Sequence, residues 1–354
     1  MIVKTLSVRN FRNHSYKELE FSNGINVITG MNTAGKTNIV EAIYYLSLAR
    51  SFRGVDVEDI INRSSEYAEI DSLVVEGSLK RKIHIIITKK GRSVLVNGKK
   101  VSKLSDLSKC VNVLLFEPKD VLLFRGTPKE RRNFLDINLS KQFPIYLEYI
   151  SRYEKALRQR NELLKSGNYD QKLLDTTTEM LVKYAGPIIK YRAMYVKDIN
   201  DILIKITRAL TGVKEKIEIH YRPFVSDTSD FDKVALDAYN RALESDLKHK
   251  ATSIGIHRED ISVSLNGRDI GTFGSQGENR LVALALKISP YFLVKDEDKR
   301  PVIVLDDVMS ELDEIHQKRL IKFLQKFSQV FITATELEID GATHIKLNES
   351  KEVF

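Results

Sequence analysis

The sequence predicts an α/β protein: a head built on a mixed sheet, interrupted by a mainly helical lobe. Three observations carry this. "GMNTAGKT" at 30–37 is a glycine-rich turn set between the apolar run INVIT and the helical run NIVEAIYYLSLA. Residues 301–335 read as strand, helix, strand ("PVIVLDD", "HQKRLIKFLQKF", "QVFITAT"), the spacing of a parallel βαβ unit. Between these halves the chain is helical from about residue 128 over a long stretch. The expected division is a discontinuous first lobe, 1–125 with 295–354, and a second lobe, 126–294.

In chain order, IVKTLSV, ELEF and INVITG are short strands, with Asn23-Gly24 a hairpin-type turn signal. After Thr37 the period becomes helical, with Ile39, Val40, Ile43 and Leu46 on one broad face. Residues 68–103 return to strand as an antiparallel meander, Lys90-Gly91 and Asn97-Gly98 separating IHIIIT, SVLV and KKV. In the helical stretch, Tyr146, Ile150, Tyr153, Leu157 and Leu164 form one stripe, and Gly167-Asn168 is a connector. Leu174, Thr178, Leu181, Ala185, Ile188, Arg192, Tyr195, Ile199, Ile202 and Ile206 form a second, at alternating spacings of four and three. Two packed helices, a short antiparallel insertion, are expected, with Pro187 kinking or splitting the second. Further on, "TFGSQGE" is a small-residue turn running straight into the apolar helix NRLVALALK. Such a turn is expected to point bare backbone N–H groups at the positive end of a helix, a site for an anion.

With 42% hydrophobic and 29% charged residues the composition is that of an ordinary soluble globular chain. The N-terminus has no secretory h-region and no long uncharged apolar run follows, so a cytoplasmic protein is expected, with no membrane partner. One cysteine, Cys110, excludes an intramolecular disulfide framework, and its apolar neighbours predict a buried, inert thiol. The net charge of +8 is unevenly spread. From Lys80 to Lys103 there are nine basic residues and no acidic one, a strip that reads as a polyanion-facing surface or as a solvated strand face.

Gly30, Met31, Asn32, Thr33, Ala34, Gly35, Lys36 and Thr37 fill every fixed position of the phosphate-loop pattern, in the strand-to-helix context that it requires. Backbone N–H groups are expected to cradle the phosphates of ATP, Lys36 to reach the β- and γ-phosphates, and the Thr37 hydroxyl to hold Mg²⁺. Asp306, closing the run VIVL, is the expected metal carboxylate. Asp307 is placed to orient or deprotonate an attacking water; the alternative is that both aspartates cap the following helix. His257-Arg258-Glu259-Asp260 lacks ligand geometry and is read as structural or as part of a dimer face.

Phosphate loop, glycine-rich turn, then a strand ending in Asp-Asp and "SELD" together resemble the ATP-binding-cassette ATPases, with "FGSQGE" similar to their signature turn and "SELD" to their D-loop. In that family the signature turn of one subunit closes over ATP held by the phosphate loop of another. The resemblance therefore implies that Ser275, Gln276 and Gly277 meet the γ-phosphate of a partner's nucleotide. "LSVRNFRNHSYKELEF" is similar to the opening of the DNA-acting, structural-maintenance-of-chromosomes branch. With "GMNTAGKTNIVEAIYYL", "VLLFEPKDV", "PKERRNFLD", "GIHRED" and "LDDVMSELD" the chain resembles the RecF family of recombination mediators. That implies slow Mg²⁺-dependent hydrolysis and a homodimer formed with ATP on DNA, at gaps and single-strand/duplex junctions. It implies work with RecR, and indirectly with RecO and RecA, in DNA repair and replication, and an approach of Arg12 and Asn13 to the nucleotide.

Departures from the cassette pattern are equally legible. Asp306-Asp307 stands where most relatives have Asp-Glu. The stretch matching the Q-loop reads Phe116-Glu117-Pro118-Lys119-Asp120, without a glutamine, and the switch-histidine position reads Ala334-Thr335. No aromatic residue ahead of the phosphate loop is evident for stacking adenine. Two other readings share the phosphate loop and signature: the cytosolic ATPase subunit of another machine such as a transporter, and a nucleotide-gated clamp whose hydrolysis is incidental.

Overall fold

The structure is a computed structural model that describes residues 1–102, 107–167, 170–226 and 229–348; Lys103 and Asn168 lie outside the described residues. The chain forms two compact units, one of Met1–Val121, Lys205–Lys214 and Arg280–Phe354, the other of Leu122–Ile204 and Glu215–Asn279. Residues 280–294 and 205–214 thus group with the first unit, whereas the sequence division puts them in the second lobe. Among the described residues no helix is long and apolar enough to cross a membrane.

The first unit begins with β1 (Ile2–Phe11) and β2 (His14–Glu20), antiparallel with Phe11 opposite His14. The tight hairpin is therefore at Arg12-Asn13, with Arg12 in the left-handed region at φ 55°. Asn23-Gly24 is not a hairpin: β3 (Gly24–Thr29) leaves for a second sheet. The reason lies in its burial, because Ile25, Asn26, Val27 and Ile28 are all buried, as in parallel strands covered on both faces. The helix α1 (Lys36–Leu48) follows the phosphate loop. The meander β4 (Tyr67–Glu76), β5 (Leu79–Thr88), β6 (Gly91–Val96) and β7 (Lys99–Lys100) joins β1 and β2 in a six-stranded sheet ordered β2-β1-β4-β5-β6-β7. After the short α2 (Leu107–Cys110) comes β8 (Val113–Phe116). Cys110 is half-buried rather than buried, because it closes a one-turn helix at the edge of the core.

From the second unit onward, α3 (Pro128–Gln142) starts on a capping box between Thr127 and Glu130 with Pro128 at its first turn. The helices α4 (Pro144–Ser166) and α5 (Gln171–Thr211) carry the two stripes, buried as spaced except for half-buried Ile150, Leu157 and Ile202. α5 runs unbroken through Pro187 for 41 residues, so the proline does not split it. A three-stranded antiparallel sheet of β9 (Ile217–Arg222), β10 (Asp260–Leu265) and β11 (Arg268–Asp269) and the helix α6 (Phe231–His249) follow.

This unit has a polar interior. Buried Arg192 donates to Asp136 (2.9 Å) and Glu259 (2.7 Å), and buried Arg160 to Asp246 (2.7 Å). His257 Nδ1 lies 3.0 Å from the Tyr153 hydroxyl and Nε2 3.0 Å from the Thr252 carbonyl, and burial pushes its pKa down to about 4. Glu259 meets Arg192 and Asp260 pairs with Arg131 (2.8 Å), so the 257–260 run is structural.

The chain then passes through α7 (Ile270–Phe273), α8 (Gln276–Ile288) and α9 (Pro290–Leu293) to β12 (Val302–Leu305), α10 (Glu314–Leu324), β13 (Gln329–Ala334) and β14 (Thr343–Lys346). In the first unit these strands complete a parallel sheet ordered β14-β3-β13-β12-β8. The antiparallel and parallel strands of the head thus divide between two sheets. α1 packs against strands of both and is buried nearly all round, including Ile39, Val40, Ile43 and Leu46. Each such side chain contributes about 1.5–3 kcal/mol, which fixes where the phosphate loop stands at its N-terminus.

Candidate active site

β3 delivers Gly30 and α1 receives Lys36, so the loop is held by a strand on one side and a helix on the other. Two glycines are required here. Gly30 (φ 153°) has no room for a side chain, a Cβ falling 2.7 Å from the Leu347 carbonyl oxygen, and Gly35 (φ 81°) would place one 2.5 Å from His14 Nε2. Met31, Asn32 and Thr33 are exposed and Ala34 is buried. Buried Lys36 folds its ammonium back onto the loop, donating to the Gly30 (2.6 Å) and Met31 (2.9 Å) carbonyls.

β12 lies two strands from β3 in the parallel sheet, and its carboxyl end brings Asp306 to α1 across nearly the whole sequence. Thr37 Oγ1 donates to Asp306 Oδ1 at 3.2 Å. Thr333, at the end of β13, donates to the same oxygen at 2.7 Å and accepts from the Asp307 N–H at 2.9 Å. Burial pushes the Asp306 carboxyl above the usual range, with Thr333, Thr37 and the Arg53 charge opposing that shift. Two hard oxygens 3.2 Å apart suit Mg²⁺, since adjacent ligands of an octahedral ion at about 2.1 Å stand about 3.0 Å apart. Asp307 is exposed and left-handed (φ 51°), a conformation that costs a non-glycine residue about 1 kcal/mol or more.

The Arg12-Asn13 hairpin lies against the back of the loop. Asn13 Nδ2 donates to the Thr33 carbonyl (3.2 Å), Asn38 Nδ2 donates to Asn13 Oδ1 (2.7 Å), and His14 Nε2 lies 3.2 Å from the Gly35 carbonyl. Arg12 itself points into the protein, at Glu41 and the Asp59 carbonyl. In the Q-loop stretch, Glu117 follows β8, and the Phe116 carbonyl accepts from the Asp306 N–H (2.9 Å). Burial raises the Glu117 carboxyl, and Lys119 pairs with it at 2.9 Å. Thr335 is exposed; the threonine that reaches the carboxylate is Thr333, two residues earlier.

In the second unit, Ser275, Gln276 and Gly277 are exposed at the start of α8. The N–H groups there are not all bare. Ser275 donates its N–H to Glu278 Oε2 (2.7 Å), and Glu278 donates its own to Ser275 Oγ (3.2 Å), a reciprocal cap written in the sequence as Ser-x-x-Glu. Gly274 is required before it, a Cβ there lying 2.5 Å from the Ile270 carbonyl oxygen.

Comparison with known proteins places this arrangement in a family. The family model described as RecF/RecN/SMC N terminal domain matches residues 2–344. The DNA replication and repair protein RecF of Halalkalibacterium halodurans is 35% identical over 99% of this chain and 96% of its own length. The chain belongs to the RecF family. RecF of Bacillus subtilis is 34% identical, over 99% of this chain and 97% of that one. Among solved structures, the recombination mediator protein RecF-ATPrS of the RecFOR pathway matches with TM-score 0.89 and 32% identity, covering 98% of this chain and 96% of that one. Its RecF-ATP counterpart matches with TM-score 0.87 and 32% identity, covering 98% and 97%. The Smc head domain of Pyrococcus furiosus shares the fold, with TM-score 0.56 at 18% identity over 94% of this chain and 89% of that one. The fold of this RecF-family chain is thus that of an ABC-type ATPase head with an added helical unit. Sequence reasoning missed Glu41, Thr333 and Arg53: Glu41 stands within the stretch GMNTAGKTNIVEAIYYL but without an assigned role, and all three take their roles from convergence in space.

Proposed function

We propose that this RecF-family chain is a Mg²⁺-dependent ATPase and a DNA-binding recombination mediator. It acts in repair and replication at single-strand gaps, forms a homodimer with ATP on DNA, and works with RecR and, through it, RecO and RecA. The observation that carries the catalytic part is the convergence of Thr37 and Asp306 beside the glycine-bounded loop that holds Lys36. Lys36 exchanges its two loop carbonyls for phosphate oxygens. Thr37 and Asp306 are the residues that would hold Mg²⁺, which when bound would supply positive charge against the phosphates. Asp307, exposed one residue beyond, accepts the proton of the attacking water. Ser275, Gln276 and Gly277 of a second copy complete the γ-phosphate contacts, and Asn13 supports the loop from behind. The exposed lysines of β5 and β7, Lys80, Lys82, Lys99 and Lys100, offer a phosphate-binding surface for DNA.

Replacing Lys36 with Ala tests this reading. ATP affinity is expected to fall by about a hundredfold, the loss of two charge-assisted contacts, and ATP-dependent retention on gapped duplex DNA to vanish with it. Unchanged ATP affinity would remove the loop from the account.

A further inference from the structure

Glu41 stands five residues after Lys36 on α1, with no accessible surface, and several cationic and hydroxyl groups converge on its carboxylate. Arg12 donates through Nε to Oε2 (3.0 Å) and through Nη2 to Oε1 (2.6 Å). Ser51 donates its hydroxyl to Oε1 (2.5 Å), and Arg53 Nε lies 3.7 Å from Oε2. A buried carboxylate is tolerated only with partners of this kind, and removing one side leaves the other charge uncompensated.

The consequence runs outward from Arg12. Its backbone is left-handed (φ 55°), a conformation that a non-glycine residue keeps only where the surroundings impose it. Here they do: the Arg12 N–H donates to the Ile60 carbonyl (2.7 Å), Nη1 donates to the Asp59 carbonyl (2.7 Å), and Asn62 Nδ2 donates to the Arg12 carbonyl (2.9 Å). The next two residues are those that touch the phosphate loop, Asn13 at the Thr33 carbonyl and His14 at the Gly35 carbonyl. A trans peptide points its N–H opposite to its C=O. The Gly35 carbonyl also accepts from the Asn38 (2.9 Å) and Ile39 (3.1 Å) N–H groups, so the first helical turn and His14 together hold that peptide with the Lys36 N–H, an orphan donor, turned away from the hairpin.

We propose that Glu41 is a positioning residue of the nucleotide site, acting through Arg12 to hold the Arg12–His14 hairpin against the phosphate loop. The inference rests on the nucleotide-binding reading above. It is tested on the full-length protein by measuring ATP affinity by calorimetry, steady-state hydrolysis, and Tm without nucleotide, for the wild type, Glu41→Gln, Glu41→Asp, Arg12→Gln and the double variant Glu41→Gln/Arg12→Gln. Both Gln variants are expected to weaken ATP binding tenfold or more, with a smaller change in kcat at saturating ATP. Glu41→Asp, which keeps the charge, is expected to recover part of the loss, and the double variant to be no worse than either single one. Should Glu41→Gln not fold, Arg12→Gln breaks the same link from its more accessible side and carries the test. ATP affinity within twofold of wild type in either folded Gln variant, or losses that simply multiply in the double variant, would overturn the proposal. Wild type that binds no ATP overturns the nucleotide reading itself, a result distinct from wild-type binding that the variants leave intact.

Discussion

Asp306 carries two opposed demands. Its carboxyl is buried and shifted upward, so the ionised form costs stability in the protein without a cation. The sign follows from linkage: a raised folded-state pKa means a contribution fully present below the unfolded value of about 3.9 and lost as pH rises through the folded value. Asp306→Asn keeps an acceptor for Thr37 and Thr333 without the charge. It is expected to raise Tm at pH 7 by about 1–3 °C in the absence of nucleotide, the gain shrinking toward pH 4, while hydrolysis is lost. A lower Tm at pH 7 would mean that the charge stabilises the fold. Lys36, Thr37 and Asp306 are legible as residues because a spaced pattern fixes their chemistry. Thr333 and Glu41 are not, since a threonine ending a buried strand and a glutamate in a helix acquire meaning only from what the fold brings to them. The bare signature turn is an incomplete reading for the opposite reason: the Ser-x-x-Glu spacing that caps it at Ser275 and Glu278 stands in the sequence itself.

At the scale of elements, period and turn chemistry predict α1, the meander and the βαβ unit, whereas Asn23-Gly24 reads as a hairpin because a turn signal does not say which sheet the next strand joins. The basic strip changes most once folded. Arg81 is committed to Glu76 at 2.5 Å, and the hairpin tip at Lys89-Lys90 lies at the other end of β5 from Lys80 and Lys82, about 23–30 Å away at 3.3 Å per residue. Lys99 and Lys100 join the Lys80 end, because Asn97 bonds back to Lys82. Charge reversal at Lys82, Lys99 and Lys100 is therefore expected to lower the slope of log affinity for duplex DNA against log salt by about 0.9 for each phosphate that is no longer neutralised. An unchanged slope would leave this face a solvated one.

The whole chain closes its head from both ends. Val330 pairs with Ile25, and Gln329 exchanges two hydrogen bonds of 2.8 Å with Val3 across 326 residues. That the two ends share one unit is legible from the split between the phosphate loop and Asp306; where the units divide is not, because α5 and α8 continue across the boundaries without a local break. In the proposed function one ATP is shared by Lys36 of one copy and the Ser275 turn of another. Lys36→Ala and Ser275→Arg proteins are each expected to be inactive in ATP hydrolysis, since every site in either homodimer carries a lesion. Mixed, they form heterodimers in which one site carries both lesions and the other neither, so the measurement is ATPase activity of the mixture with mixed dimers verified by crosslinking. Activity is expected to return on mixing, below the wild-type level; no recovery with mixed dimers present would contradict a shared site.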